Sequence, residues 1–108
     1  MSSISLHVLD TTEGAPASGL LVTLKLLAEP SRGGVLICQE ITDADGRIRE
    51  LLPQGGQGGL YHISIAPRDH SWPFYPNIEF EIMVDEDRHH HIPLVLSRYG
   101  FFSACMPS

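Results

Sequence analysis

The chain is short of most features that mark the large functional classes. Two cysteines, Cys38 and Cys105, are too few for a disulfide framework, and a reducing compartment is the simpler expectation. No cluster of Lys and Arg occurs, and 13 acidic residues outnumber 7 basic ones for a net charge of −6. Proteins that grip a phosphate backbone need a basic stripe, so no nucleic-acid partner is expected. No apolar run approaches the ~20 residues of a membrane-spanning helix, so no membrane partner is expected either. The opening "MSSISLHVLD" lacks the basic and then apolar regions of a secretory leader. The closing "CMPS" is not an address of the Ser-Lys-Leu type. A soluble, cytoplasmic protein is the plain expectation. The 108 residues suit a single domain, 1–108, large enough for one core without staples.

The 3.6-residue period of an amphipathic helix is also missing, and a period of two stands in its place. In "ISLHVL" (4–9), Ile4, Leu6 and Val8 share one face, while Ser5, His7 and Leu9 share the other. "GLLVTLKLL" (19–27), "VLICQEIT" (35–42), "RIREL" (47–51), "LYHISI" (60–65), "NIEFEIMV" (77–84) and "HHIPLVLS" (90–97) read as further strands, with a last short one over 101–105. Turn clusters separate them: "EGAPASG", "EPSRGG", "TDADGR", "PQGGQGG", "APRDHSWPFYP" and "DEDR". Seven or eight short strands with turn signals between them predict an all-β, antiparallel sandwich. "QGGQGG" has neither phosphate-loop spacing nor a following helix and reads as a flexible turn.

The triplet His89-His90-His91 invites a metal-site reading, because imidazole is a common zinc ligand. Strand alternation divides it. His90 continues the apolar face of Ile92, Leu94 and Leu96, while His89 and His91 share the opposite face. Two ligands remain, and no cysteine or carboxylate pattern supplies the others. No metal and no cofactor are expected. By the same parity His7 points away from the core, and so does Arg47 opposite Ile48. Each residue alone is also compatible with an ordinary solvated strand position.

Four blocks carry more information: "SLHVLDTTEGAPASGLLVTL" (5–24), "TDADGRIRELL" (42–52), "FYPNIEFEI" (74–82) and "HHHIPLVLSRYG" (89–100). Their order and wording resemble the transthyretin-like family, in particular its 5-hydroxyisourate hydrolases of urate degradation. The first block contains "HVLDT..G.PA.G". The last is similar to His-x-His-Val-Pro-Leu-Leu-Leu-Ser-Pro-Tyr-Gly. The resemblance implies a transthyretin-like (prealbumin-like) sandwich of two sheets, with chains assembled into a homotetramer as a dimer of dimers. It implies active sites in the channel between dimers and a small purine-derived substrate. Residue by residue, it implies a catalytic set of His7, Arg47 and His91, with Ser97 a further polar position. His7, Arg47, Ser97 and Cys105 are the implied substrate contacts.

The implied reaction opens a ring amide of 5-hydroxyisourate by attack of water, which makes the protein a cyclic amide hydrolase. Histidine, with an ordinary pKa of about 6.5, can act as base or acid near neutral pH. Arginine stays charged and stabilises a developing oxyanion. Which histidine is base and which is acid stays open at this level.

Three departures from the pattern stand out. Family enzymes end in Tyr-Arg-Gly-Ser, whereas this chain ends "SACMPS", placing Cys105, Met106 and Pro107 where Tyr, Arg and Gly are expected. The stretch 61–76 is shorter than the usual form, and its prolines make the family's short helix a poor fit. Arg98 stands where proline is usual. An impaired hydrolase follows from the tail, and the alternative is a non-catalytic transthyretin-like tetramer that binds a small ligand.

Overall fold

The computed structural model describes residues 2–27, 34–67, 72, 76–103 and 106–107, with residues 54, 102, 106 and 107 described for backbone only. In chain order the strands are β1 (Ser2–Asp10), β2 (Ala15–Pro16), β3 (Leu20–Leu27), β4 (Val35–Ile41), β5 (Arg47–Gly56), β6 (Gly59–Pro67), β7 (Ile78–Val84), β8 (His89–Leu96), β9 (Phe101–Ser103) and β10 (Met106–Pro107). No helix occurs among the described residues, and none is long and apolar enough to cross a membrane.

Two sheets form. In the first, β1 pairs with β5 and β2 on one side and with β8 on the other, and β8 in turn pairs with β9 and β10. The second has the order β4-β3-β6-β7. The expected sandwich is therefore present, with two qualifications. The three additional elements beyond the major strands are two or three residues long. One pairing is parallel rather than antiparallel: Ser3 to Asp10 of β1 runs alongside His89 to Leu96 of β8. Local alternation gives the faces of a strand but not its neighbour or direction, and these two strands lie at opposite ends of the chain.

The alternation places the core between the sheets. Ile4, Leu6 and Val8 of β1 and Ile92, Leu94 and Leu96 of β8 face inward. They meet Val22 and Leu24 of β3, Tyr61, Ile63 and Ile65 of β6, and Ile78 of β7. Truncating a side chain such as Leu6 or Leu94 to Ala costs about 2–5 kcal/mol in such a packed interior. Buried polar groups are largely satisfied. The Tyr61 hydroxyl donates to the Gln57 carbonyl at 2.7 Å. Thr42 Oγ1 donates to the Ala17 carbonyl and accepts from the Leu20 amide. Cys38 Sγ–H points to the Leu51 carbonyl at 2.9 Å.

One expectation is corrected here. "PQGGQGG" is not a turn throughout. β5 continues to Gly56, which pairs with Ser2, and β6 begins at Gly59, so only two residues make the turn. Pairing with β1 overrides the weak strand preference of glycine. The short strand expected over 101–105 is present as β9 (Phe101–Ser103), and residues 104 and 105 lie outside the described residues. In the shortened stretch 61–76, residues 61–67 belong to β6, and residues 68–71 and 73–75 lie outside the described residues.

β4 is a strand but a poorly covered one. It forms one edge of its sheet, and Val35 and Leu36 are 64% and 55% exposed.

Candidate functional site

The outward face of the β5-β1-β8 sheet collects the residues singled out by sequence. Ser3, Ser5 and His7 alternate with the buried Ser2, Ile4, Leu6 and Val8 on β1, and His89 and His91 alternate with His90 and Ile92 on β8. His7 lies directly opposite Arg47 in the antiparallel β1–β5 register. His91 lies opposite Ser5 in the parallel β1–β8 register, one outward position from His7. Three residues far apart in sequence thus occupy neighbouring positions on three adjacent strands.

The turn before β5 sets Arg47. Asp43 Oδ1 accepts from the Asp45 and Arg47 amides, each at 2.9 Å, while the Asp43 amide donates to the Arg47 carbonyl at 3.0 Å. The hydrogen bond from the Arg47 amide is the main reason the Asp43 carboxyl titrates below its ordinary range. Gly46 completes the turn with a φ of +73°, where a side chain is strained. A Cβ there would lie 2.3 Å from the Val8 carbonyl oxygen, so the turn packs directly against β1. The Val8 amide donates to the Gly46 carbonyl at 2.8 Å, which locks the two segments together. The "DADGR" block is therefore a device that holds Arg47 across from His7.

The electrostatics of the face have one sign. Burial is the first cause that lowers the His91 pKa below its ordinary value, followed by the charges of Arg47, His7 and His89. Arg47 disfavours a second positive charge on His91, as would a proton on either neighbouring histidine, so a neutral imidazole is favoured beside a permanent cation. Such a face can receive an anion, offer a nitrogen lone pair as a base, and stabilise negative charge that develops during reaction.

Sequence reasoning did not pick out Ser3, Ser5 or His89 as part of this arrangement. Ser5 Oγ lies 2.7 Å from His91 Nδ1 and 2.9 Å from His89 Nε2, and Ser3 Oγ lies 2.7 Å from His89 Nδ1. Parity puts each of them on this face. The missing information was the β1–β8 register.

The other expected contacts are placed differently. Ser97 follows β8, its hydroxyl donating to the Gly100 carbonyl at 2.8 Å. It stands roughly 20 Å along the strand direction from His91, at ~3.3 Å per residue. Cys105 lies outside the described residues. The backbone of the tail does return to the site, since Met106 pairs with His91 and Pro107 with His90. Arg98, the unusual residue after Ser97, donates from Nε to the Tyr99 hydroxyl at 3.0 Å and stacks over that ring. His90 is 3% exposed and core-facing, as parity requires, with Nε2 accepting from the Asp85 amide at 3.3 Å. Among the described residues, no three His, Cys, Asp or Glu side chains are grouped to hold a metal ion.

Two sheets closing on one aliphatic core, with a His–Arg–His constellation facing outward from the first, define a β-sandwich of transthyretin-like architecture. The sequence profile of the HIUase/Transthyretin family matches residues 4–103, and the chain belongs to that family. A probable 5-hydroxyisourate hydrolase of Schizosaccharomyces pombe is 30% identical over 111 residues, covering 92% of this chain and 86% of the relative. Among solved structures, transthyretin from Sparus aurata superposes with a TM-score of 0.84 at 21% identity, covering 98% of this chain and 97% of that one. The 5-hydroxyisourate hydrolase of Klebsiella pneumoniae superposes with a TM-score of 0.76 at 23% identity, covering 96% and 92%. At those identities the two structures speak for the fold alone.

Proposed function

We propose that the protein is a 5-hydroxyisourate hydrolase, a cyclic amide hydrolase that opens the ring by water attack on an amide carbonyl. One observation carries the reading. His7, Arg47 and His91 stand at adjacent positions on one sheet face, and among the described residues the charges that act on His91 have the same sign. A ligand-binding sandwich has no need to hold a neutral imidazole beside a guanidinium. The hydrolase names of relatives about 30% identical support the same conclusion.

In this mechanism Arg47 clamps the anionic substrate and the oxyanion formed at the attacked carbonyl. One histidine takes a proton from water as its oxygen bonds to the carbonyl carbon. The breaking C–N bond leaves on nitrogen, which receives a proton from an imidazolium. No metal or cofactor enters any step. We read residues 1–108 as one catalytic unit, assembled as a homotetramer whose paired sheet faces enclose the sites. The tail without Tyr-Arg-Gly favours a slow enzyme, and it is the observation that favours the second reading, a non-catalytic small-ligand-binding tetramer.

The test is to generate 5-hydroxyisourate freshly from urate and follow its decay with and without the protein. Acceleration supports the hydrolase. No acceleration at micromolar protein rejects it in favour of the binding protein.

A further inference from the structure

The histidines and serines on the outward face of β1 and β8 form a continuous hydrogen-bonded chain: Ser3 Oγ, His89 Nδ1, His89 Nε2, Ser5 Oγ and His91 Nδ1. Each serine hydroxyl has one proton, and each neutral imidazole has one N–H and one bare nitrogen. Ser5 touches two ring nitrogens, and its one proton can go to either while its oxygen accepts from the other. With both imidazoles neutral and the Ser5 proton inside the chain, two arrangements satisfy these three contacts. In the first, Ser3 donates to His89 Nδ1, His89 Nε2–H donates to Ser5, and Ser5 donates to His91 Nδ1. His91 then carries its proton on Nε2. In the second, every bond is reversed, and His91 Nε2 has a free lone pair.

We propose that Ser5 and His89 are positioning residues for His91, forming a proton relay that presents His91 Nε2 either as a base or as an acid. The proposal rests on the hydrolase reading above for its chemical use, but the relay is a property of the resting protein. In the base-ready direction, His91 Nε2 takes a proton from water and becomes an imidazolium. Its Nδ1 proton then passes to Ser5 Oγ while the Ser5 proton passes to His89 Nε2. Two bonds break, His91 Nδ1–H and Ser5 O–H. Two form, a new Ser5 O–H and His89 Nε2–H. The positive charge moves to His89, and His91 is left neutral with its proton on Nε2. For the leaving nitrogen the relay runs back, His89 Nε2–H passing its proton to Ser5 Oγ as the Ser5 proton passes to His91 Nδ1. His91 is then again an imidazolium when its Nε2 proton is given up.

The surroundings give this transfer a purpose. Among the described residues, the charged or titratable groups that act on His91 are Arg47 on β5, His7 on β1 and His89 on its own strand. Arg47 is a permanent cation, and His7 stands opposite it in register. His89 lies opposite Ser3, two outward positions from His7 along β1, so a charge passed to it leaves that neighbourhood. A purely structural ladder of hydroxyls and rings would not require this directional match.

The test uses the full chain with 15N-labelled imidazoles, titrated without substrate over roughly pH 5–8, together with the hydrolase assay. In the wild type, His91 is expected to populate both tautomers, and its titration to depend on that of His89. Ser5→Ala should uncouple the two titrations and collapse His91 to one tautomer. It should lower kcat by roughly 10–100-fold, the usual range for losing the partner that orients a working histidine. KM should change by less than about twofold, because the loss falls on the transition state, and the acid limb of the pH profile should move. Ser5→Thr, which restores a hydroxyl, should recover the coupling and most of the rate. His89→Gln is the second variant and should abolish the coupled step. Unchanged His91 tautomer populations and titration in both Ser5→Ala and His89→Gln overturn the relay. If the wild type does not hydrolyse 5-hydroxyisourate, the hydrolase reading fails, while the ring titrations still decide for or against the relay.

Discussion

On the outer face of the β4-β3-β6-β7 sheet, His62 has Glu79 at 3.3 Å, with Lys25 and Glu81 as its cross-strand neighbours. On the outer face of the other sheet, His91 has Ser5 at 2.7 Å and is acted on by Arg47, His7 and His89. Both histidines are half-buried strand residues that alternate with core aliphatics. Their sequence settings, "LYHISI" and "HHHIPLVL", look alike to a parity argument. The first face mixes charges of both signs, as a solvated strand does. The second groups Arg47 with three histidines in a chain whose net charge is −6. Residue type therefore does little to tell the two histidines apart, and the sign of their neighbours does more.

The largest effect should come from breaking the basic face. Arg47→Ala and His91→Asn are each expected to reduce the acceleration of 5-hydroxyisourate decay by about 10²–10³-fold, the range for losing an oxyanion or proton-transfer group. Size-exclusion and circular dichroism measurements should be unchanged, and full activity in either variant would place the site elsewhere. The next effect falls on the scaffold of that face. Gly46→Ala forces a side chain into a positive-φ position against the Val8 carbonyl and should cost about 1–3 kcal/mol, read as a lower denaturation midpoint.

A smaller, pH-dependent effect follows from His91. Its folded pKa is lowered, so near pH 6.5 the unfolded chain takes up the proton more readily than the folded one. Stability should be flat above that pH and fall as pH drops from about 6.5 toward the lower folded value. His91→Gln should flatten this part of the stability curve in chemical denaturation. An equal slope in both proteins would contradict the assignment. The smallest effect belongs to the mixed-charge face: Glu79→Gln should change stability by less than ~1 kcal/mol and leave the decay assay unaltered. A large loss of activity there would erase the distinction between the two faces.

Much of this was legible in the chain itself. Period-two alternation is enforced by the geometry of a strand, so His7, Arg47 and His91 could be turned outward before any pairing was known. Asp and Gly in "TDADGR" announced the turn, because few other residues accept its backbone angles. Pairing was not legible. The parallel β1–β8 register, the extension of β5 through "PQGG" and the Ser5 bridge between two imidazoles all depend on contacts remote in sequence. β4 shows the converse limit. Its apolar run reads as a strand like the others, yet it lies at a sheet edge where Val35 and Leu36 are left uncovered.

The parallel pairing of β1 with β8 also has a kinetic meaning. The Ser5–His91 hydrogen bond joins residues 86 apart, and closing so long a loop carries an entropic penalty before any contact compensates it. The basic face is therefore expected to be among the last parts of the molecule to assemble during folding. Partly folded chains have no assembled His–Arg–His set to offer, so in a refolding experiment recovered hydrolysis would report completion of the fold, arriving with the slowest structural phase.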